Sequence, residues 1–341
     1  MSEVTTVGID LAKDVFQVHG VDKHGKVIVR KQLRRNQMAE FFANMPACRI
    51  GMEACASAHY WARKLESFGH TVKLMAPQFV KPYVKTNKHD VADAEAICEA
   101  VARPNMRFVA VKTPEQQSVL ALHRARQGFV KARTAQANQI RGLLGEFGIV
   151  MPQGLGAIRR RLPDVLEDAD NELPDTLRGL VAQLGEHLQT LDQQVHTLDK
   201  EIEQWHRANA VSCRLAQIPG IGPITATALV ATIGDARHFR NGRQLAAFLG
   251  LVPKQHSSGG KQQLLGISKR GDSYLRTLLI HGARAVIRLA PGKPDANPWL
   301  TRMLSRRPNN VTAVALANKN ARIVWALMAT DRDYQPGSTA G

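Results

Sequence analysis

Every segment that reads as a β-strand lies before Thr113, and from there the chain turns helical. Val4 to Ile9, Val15 to Val21 and Val27 to Lys31 are short β-branched runs, separated by Asp-Lys and Lys-His-Gly-Lys turn signals. They predict three antiparallel strands. A helix-compatible stretch (Asn36 to Asn44) leads to a fourth strand over Arg49 to Met52, a helix over Ala58 to Ser67 and a fifth strand over Thr71 to Leu74. Pro77 and Pro82 mark irregular structure, and Asp90 to Val101 has helical composition that Arg103-Pro104 ends. Strands first, then strand and helix in alternation, is an α/β pattern.

Pro114-Glu115 starts a helix of about thirty residues without an internal proline. A Gly- and Pro-punctuated, Arg-rich stretch (Gly148 to Pro163) separates it from a second long helix. In the latter Leu184, Leu188, Leu191, Val195, Leu198, Ile202 and Trp205 alternate by four and three, a heptad seam. The seam suits either a coiled coil with another subunit or a hairpin against residues 115–147. These breaks divide the chain into an α/β domain (1–112), a helical, coiled-coil dimerisation arm (113–206) and a mainly helical, basic C-terminal domain (207–341).

Charge is as uneven as structure. The formal net charge is +17, and between Ala236 and Thr330 sixteen Lys and Arg face only Asp272 and Asp295. Such a cluster, in a region rich in Gly and Ser, favours contact with the phosphates of a polyanion. Cys48, Cys55, Cys98 and Cys213 show neither zinc nor disulfide spacing, which points to a reducing cytoplasm. With no long uncharged apolar run and no signal-like start, neither secretion nor a membrane span is expected.

Three motifs carry chemistry. Asp10 and Glu53 each end a hydrophobic strand, in Val7-Gly8-Ile9-Asp10 and Ile50-Gly51-Met52-Glu53, while Asp90 and Asp93 share one helix face. Four converging carboxylates repel unless divalent cations bind them, and Mg²⁺ takes such hard oxygen ligands. The strand and helix order around them is that of a ribonuclease H fold. In the second motif, Ile218-Pro219-Gly220-Ile221-Gly222-Pro223 has the glycines of a helix-hairpin-helix, whose free N–H groups can hold a phosphate. Ser258 is the third, in a basic Gly-rich loop between Lys254 and Lys261 whose cations could stabilise attack on phosphate, although serine and glycine in a loop are usually just turn chemistry.

In this order the motifs resemble the DEDD insertion-sequence transposases, the family that includes the Piv-type invertases and the bridge-RNA-guided recombinases. The similarity runs through VGIDLAKD, the Glu53 strand, NKHDVADAEAICEA, IPGIGPITA and AAFLGLVPKQHSSGGKQQLLGISKRGDSYLRTLL. It implies a RuvC-like N-terminal domain whose Mg²⁺ ligands are Asp10, Glu53, Asp90 and Asp93. It also implies a C-terminal serine that attacks DNA and leaves a phosphoserine link, with partners comprising double-stranded DNA, a bridge RNA and further copies of the chain as dimer or tetramer. Anchoring on the preceding Leu-x-Pro selects Ser258, whereas counting back from Ile267-Ser268-Lys269 selects Ser257. His256 stands where relatives often carry tyrosine. Lys269, Arg270 and Arg276 are expected phosphate clamps. A branched-DNA resolvase using metal-activated water and a non-catalytic DNA-binding protein are the alternative functions.

Overall fold

In a computed structural model that describes residues 3–85, 90–292 and 297–335, the chain separates into two units, Met1–Pro114 and Glu115–Gly341. Lys293 and Asp295 of the charge pattern, and Asn87 to His89 of the second acidic motif, lie outside the described residues. The division falls within two residues of the expected boundary at 112. The expected boundary at 206 does not appear as a division, because the helical arm and the basic region belong to one unit.

In the first unit the β-branched runs pair as their spacing predicts. Strands β1 (Thr6–Leu11), β2 (Val15–Val21) and β3 (Val27–Arg34) form an antiparallel meander. After helix α1 (Met38–Ala43), strand β4 (Arg49–Glu53) pairs parallel to β1. Beyond α2 (Ala58–Glu66), β5 (Thr71–Met75) pairs parallel to β4. A short α3 (Pro77–Val80) occupies the stretch expected to be irregular, with Pro77 at the start of the helix, where its missing N–H costs nothing. Helix α4 (Asp90–Val101) follows, and then β6 (Phe108–Val109) pairs antiparallel to β5. The order β3-β2-β1-β4-β5-β6 is consistent with a ribonuclease H-like domain. Alternation sends Val7, Ile9, Phe16, Val18, Ile50 and Met52 into a core with Trp61 and Leu65 of α2. The opposite face of β1, β2 and β4 is covered by α4.

The second unit begins with α5 (Pro114–Gly145), α6 (Leu155–Glu167) and α7 (Asp175–Ala208). Helices α5 and α7 lie antiparallel. Their cross-links are Trp205 to Glu115 at 2.9 Å, Arg126 to Asp199, Arg133 to Asp192 at 3.0 Å, and His187 to Gln136 at 2.9 Å. The heptad seam is therefore used inside the chain. Leu188, Leu191, Val195 and Ile202 are buried without a second subunit, and Leu188 shares a core with Ala137, Ile140 and Leu144 of α5. Of the two readings of the seam, the structure takes the hairpin. The stretch expected to be punctuated is helical from Leu155 and passes through Pro163, because Ile158, Leu162 and Val165 fill that core. Their burial outweighs the hydrogen bond that Pro163 cannot donate.

Helices α8 (Ala210–Leu215), α9 (Pro223–Ile233), α10 (Gly242–Phe248), α11 (Ser273–Leu289), α12 (Pro298–Leu304) and α13 (Asn309–Thr330) build a second apolar core. Buried His123 of α5 is bonded into it. Its ring nitrogens meet the Tyr274 hydroxyl and the Thr227 hydroxyl, each at 3.0 Å. The expectation that strands end before Thr113 fails at one place: β7 (Pro253–Gln255) and β8 (Leu264–Ile267) pair antiparallel. Both strands are almost wholly exposed, so no apolar alternation marks them. Among the described residues, no helix is long and apolar enough to cross a membrane.

Candidate active site

Parallel pairing of β1 and β4 sets Ile9 beside Met52, so the acids that follow, Asp10 and Glu53, emerge from adjacent strands on one face. Two glycines aim the remaining acids at them. Gly8 and Gly51 are register partners, each two residues before its acid and hence on the same face. A Cβ on Gly8 would lie 2.2 Å from the Ala94 carbonyl oxygen and 2.4 Å from the Cys98 nitrogen, and one on Gly51 would lie 2.7 Å from Val101 Cβ. With both side chains absent, α4 rests directly on the sheet and its first turn reaches the strand ends. Neither glycine stood out from the sequence alone, although a glycine two residues ahead of both acids was the available signal.

Asp10, Asp90 and Asp93 each offer a carboxylate oxygen within 4.8 Å of the other two. Glu53 is not part of that close trio. It is half-buried beside it, and its pKa is raised by burial first and then by the charges of Asp10 and Asp93. Three oxygens at this separation, with a fourth acid reluctant to ionise, are a donor set suited to a hard divalent cation. The exposed Cys55 thiol sits close enough to feel the same charge: its pKa is raised by burial, Glu53 and Asp10, so it stays protonated.

In the second unit, the turn between α8 and α9 separates its two glycines by role. Gly220, at φ 90°, packs against α11, where a Cβ would meet the Gly282 carbonyl oxygen at 2.9 Å. Gly222 caps α9, is exposed, and has no heavy atom within 4 Å of where a Cβ would stand.

The loop expected around the serine is a hairpin. Ser258 pairs with Lys261 across Gly259 and Gly260, both in the left-handed region, and the Lys261 N–H donates to the Ser258 carbonyl at 3.1 Å. A Gly-Gly pair at a two-residue turn is a recognisable hairpin signal that the polar strands obscured. The His256 N–H donates to the Gln263 carbonyl at 2.9 Å, which carries the same register down the strands. Alternation then sets Ser258, His256 and Lys261 on one face and Ser257 on the other. The hairpin is anchored at its base. A Cβ on Gly250 would lie 2.1 Å from the Arg270 carbonyl oxygen, and one on Gly271 would lie 1.8 Å from that of Phe248. Arg276, expected as a phosphate clamp, is half-buried and donates to the Leu249 and Arg270 carbonyls at 3.1 and 3.2 Å, so it braces this base. Lys254, Lys261, Lys269 and Arg270 are exposed.

Comparison with known proteins covers both units. Residues 7–149 match a transposase family of the DEDD, IS110 type, and residues 212–297 match the "Transposase IS116/IS110/IS902 family". A Pseudomonas aeruginosa protein described as "Probable family 20 transposase" is 56% identical, over 98% of this chain and 99% of its own length. The transposase for insertion sequence element IS1328 of Yersinia enterocolitica is 45% identical over 96% of this chain and 97% of its own length. The corresponding values for the transposase of element IS1111A of Coxiella burnetii are 44%, 99% and 93%.

Proposed function

The chain belongs to the IS110-type family of insertion-sequence transposases, and from that premise we propose that it cleaves and rejoins element DNA through a serine nucleophile working with Mg²⁺-binding carboxylates. The observation that carries this reading is the acid trio within 4.8 Å where the first turn of α4 meets β1 of a ribonuclease H-like sheet. Asp10, Asp90 and Asp93 would hold Mg²⁺, with Glu53 completing the set as it ionises. When bound, the metal supplies Lewis-acid polarisation of the scissile phosphate.

Ser258 does the covalent work. Its Oγ forms an ester to phosphorus while the bond from phosphorus to the leaving deoxyribose oxygen breaks, and the serine proton ends on that oxygen. The phosphodiester energy is kept in the phosphoserine link, so the reverse attack by another deoxyribose hydroxyl rejoins a strand without an external energy source. The hairpin register favours Ser258 over Ser257, since Ser258 shares its face with His256 and Lys261, a proton carrier and a cation for the phosphate. Lys254, Lys269 and Arg270 would contact backbone phosphates further along the DNA, as would the N–H groups at the exposed Gly222 cap. Gly220 and Arg276 serve the site through packing and bracing.

A bridge RNA as the source of target choice belongs to the same proposal. It is supported by a basic surface whose contacts would be mainly to phosphate. So does assembly as a homo-oligomer. Because Leu184 and Leu188 of the seam pack with α5 and Leu191, Val195 and Ile202 are buried within the chain, subunit contacts would use other faces.

Capture of the intermediate tests the chemistry. Wild-type protein incubated with labelled element-end DNA, Mg²⁺ and guide RNA, then denatured, should carry DNA covalently on the peptide containing Ser258. Ser258→Ala should abolish the adduct and strand exchange together, with Ser257→Ala retaining both. Cleavage by Ser258→Ala without an adduct would instead identify a hydrolytic nuclease, and an adduct on Ser257 would move the nucleophile by one residue.

A further inference from the structure

Beside the acid trio, on the same face of the sheet, lies a cleft of about 250 Å³ that the chemistry above leaves unused. Its floor is formed by Gln17 and Gln32, cross-strand partners, and by His19 and Arg30, the next such pair. The first pair continues across the sheet to Asp10, which lies outside the cleft itself. Val91 and Ala94 of α4 form an apolar wall. His19 is only 3% exposed, and among the described residues its Nδ1 has no hydrogen-bond partner.

We propose that this cleft is a subsite for one unpaired base of the DNA strand adjoining the phosphate held at the carboxylates. The inference rests on the reading that those carboxylates act on DNA. Size supports it: the cleft is smaller than the roughly 300–1,000 Å³ of a drug-sized pocket, so it admits one base and no duplex. The lining favours a base edge over a second phosphate. Gln17 and Gln32 each present a donor and an acceptor, and burial lowers the His19 pKa, which keeps the ring neutral with one donor and one acceptor. Of the two cations in the lining, Arg30 faces Glu95 at 3.8 Å and Lys31 sets its ammonium 5.1 Å from the centre of the Phe41 ring. Apolar Val91 and Ala94 suit a base's flat face. Position supplies the rest, because Gln17 is the direct cross-strand neighbour of Asp10. A strand whose phosphate lies at Asp10 has its next base within reach of the cleft.

Photocrosslinking of the full chain tests the subsite. A hexathymidylate with one 4-thiothymidine is irradiated with the protein in Mg²⁺, and the crosslinked peptides are identified by mass spectrometry. The expected result is a crosslink within β2, β3 or the start of α4. It should fall at least tenfold in a Gln17→Ala, Gln32→Ala protein that melts like wild type, while crosslinks to the basic second unit persist. An unlabelled hexathymidylate should compete at the cleft at least tenfold better than an abasic hexamer with the same phosphates. Equal competition, absence of a cleft crosslink, or insensitivity to the two glutamines would overturn the subsite. A 4-thiouridine hexauridylate that labels the cleft in preference to DNA would overturn its assignment to the DNA strand. Cleavage by Asp10→Ala is read separately. Normal cleavage removes the ground for both readings, whereas lost cleavage with no cleft crosslink removes only the subsite.

Discussion

The acid platform and the serine hairpin are built on opposite plans. The platform is made of strand ends and a helix start clamped backbone to backbone, so that Gly8 has no room for even one methyl group. The hairpin is open along both faces from Pro253 to Gly266, and at its tip Gly259 and Gly260 have no heavy atom within 4 Å of where a Cβ would stand. Only its base is confined, by Gly250, Gly271 and the Arg276 guanidinium. The contrast fits what the proposed function would ask of each. Carboxylates that share a cation need fixed separations against their own repulsion, whereas a nucleophile needs reach and a firm root.

The largest effect should come from filling the platform. Gly8→Ala presses a methyl group into the backbone of α4 and should cost about 3 kcal/mol or more, while also removing the rise in melting temperature that Mg²⁺ is expected to produce in wild type. Gly260→Ala adds the same methyl group in open space at φ 79° and should cost roughly 1–2 kcal/mol, confined to the tip, with the Mg²⁺ response unchanged. Equal losses in the two proteins would break the comparison.

The root of the hairpin can be probed through His123, which ties α5 to α9 and α11. Burial lowers its pKa to about 4 from the ordinary 6.5. Above pH 6.5 the ring is neutral in both folded and unfolded chains. As pH falls toward 4 the unfolded chain takes up a proton that the folded one refuses, and about 3 kcal/mol of stability is lost. Thermal melts between pH 7 and 4 should show this slope in wild type and a much flatter one in His123→Gln. Parallel slopes would mean that the ring is not held neutral.

Glu53 should give the smallest change. Its raised pKa means that the folded chain holds a proton more tightly than the unfolded chain does. The metal-free protein therefore gains stability as pH falls through that raised value toward 4.5. Glu53→Gln removes the strain and should raise the metal-free melting temperature at pH 7.5 by no more than about 3 °C, while weakening the Mg²⁺ response. A lower metal-free melting temperature would show that the Glu53 charge supports the fold.

What could be read from the sequence follows the same divide. Strand β2 and helix α4 run between the residues that the pattern of branched and apolar positions marks, because those positions are where burial decides structure. All four acids are recognisable from strand ends and an i, i+3 pair. Their aim was not, since it depends on Gly8 and Gly51, residues that act by having no side chain. The hairpin went unread for a different reason: its strands bury nothing, and Leu264 and Leu265 are 64% and 48% exposed. The seam from Leu184 to Trp205 was legible as a seam, but spacing alone does not say whose helix covers it. Cross-links such as Arg133 to Asp192 answer that, and they join residues far apart in sequence.

Helix α5, with 32 residues, is about 48 Å long, and it joins the core around His123 to the one around Ile140 and Leu144. Such a rod is a ruler. Features fixed to its two ends keep a spacing of about fourteen base pairs of B-form duplex, and they keep a phase as well as a distance. One residue inserted in α5 alone would move the far core by only about 1.5 Å but turn it by about 100°, out of step with α7 and its ion pairs. Seven residues added to both helices would restore the matching faces and lengthen the ruler by about 10 Å. Length in this part of the molecule is thus available in steps of a heptad and not in steps of one.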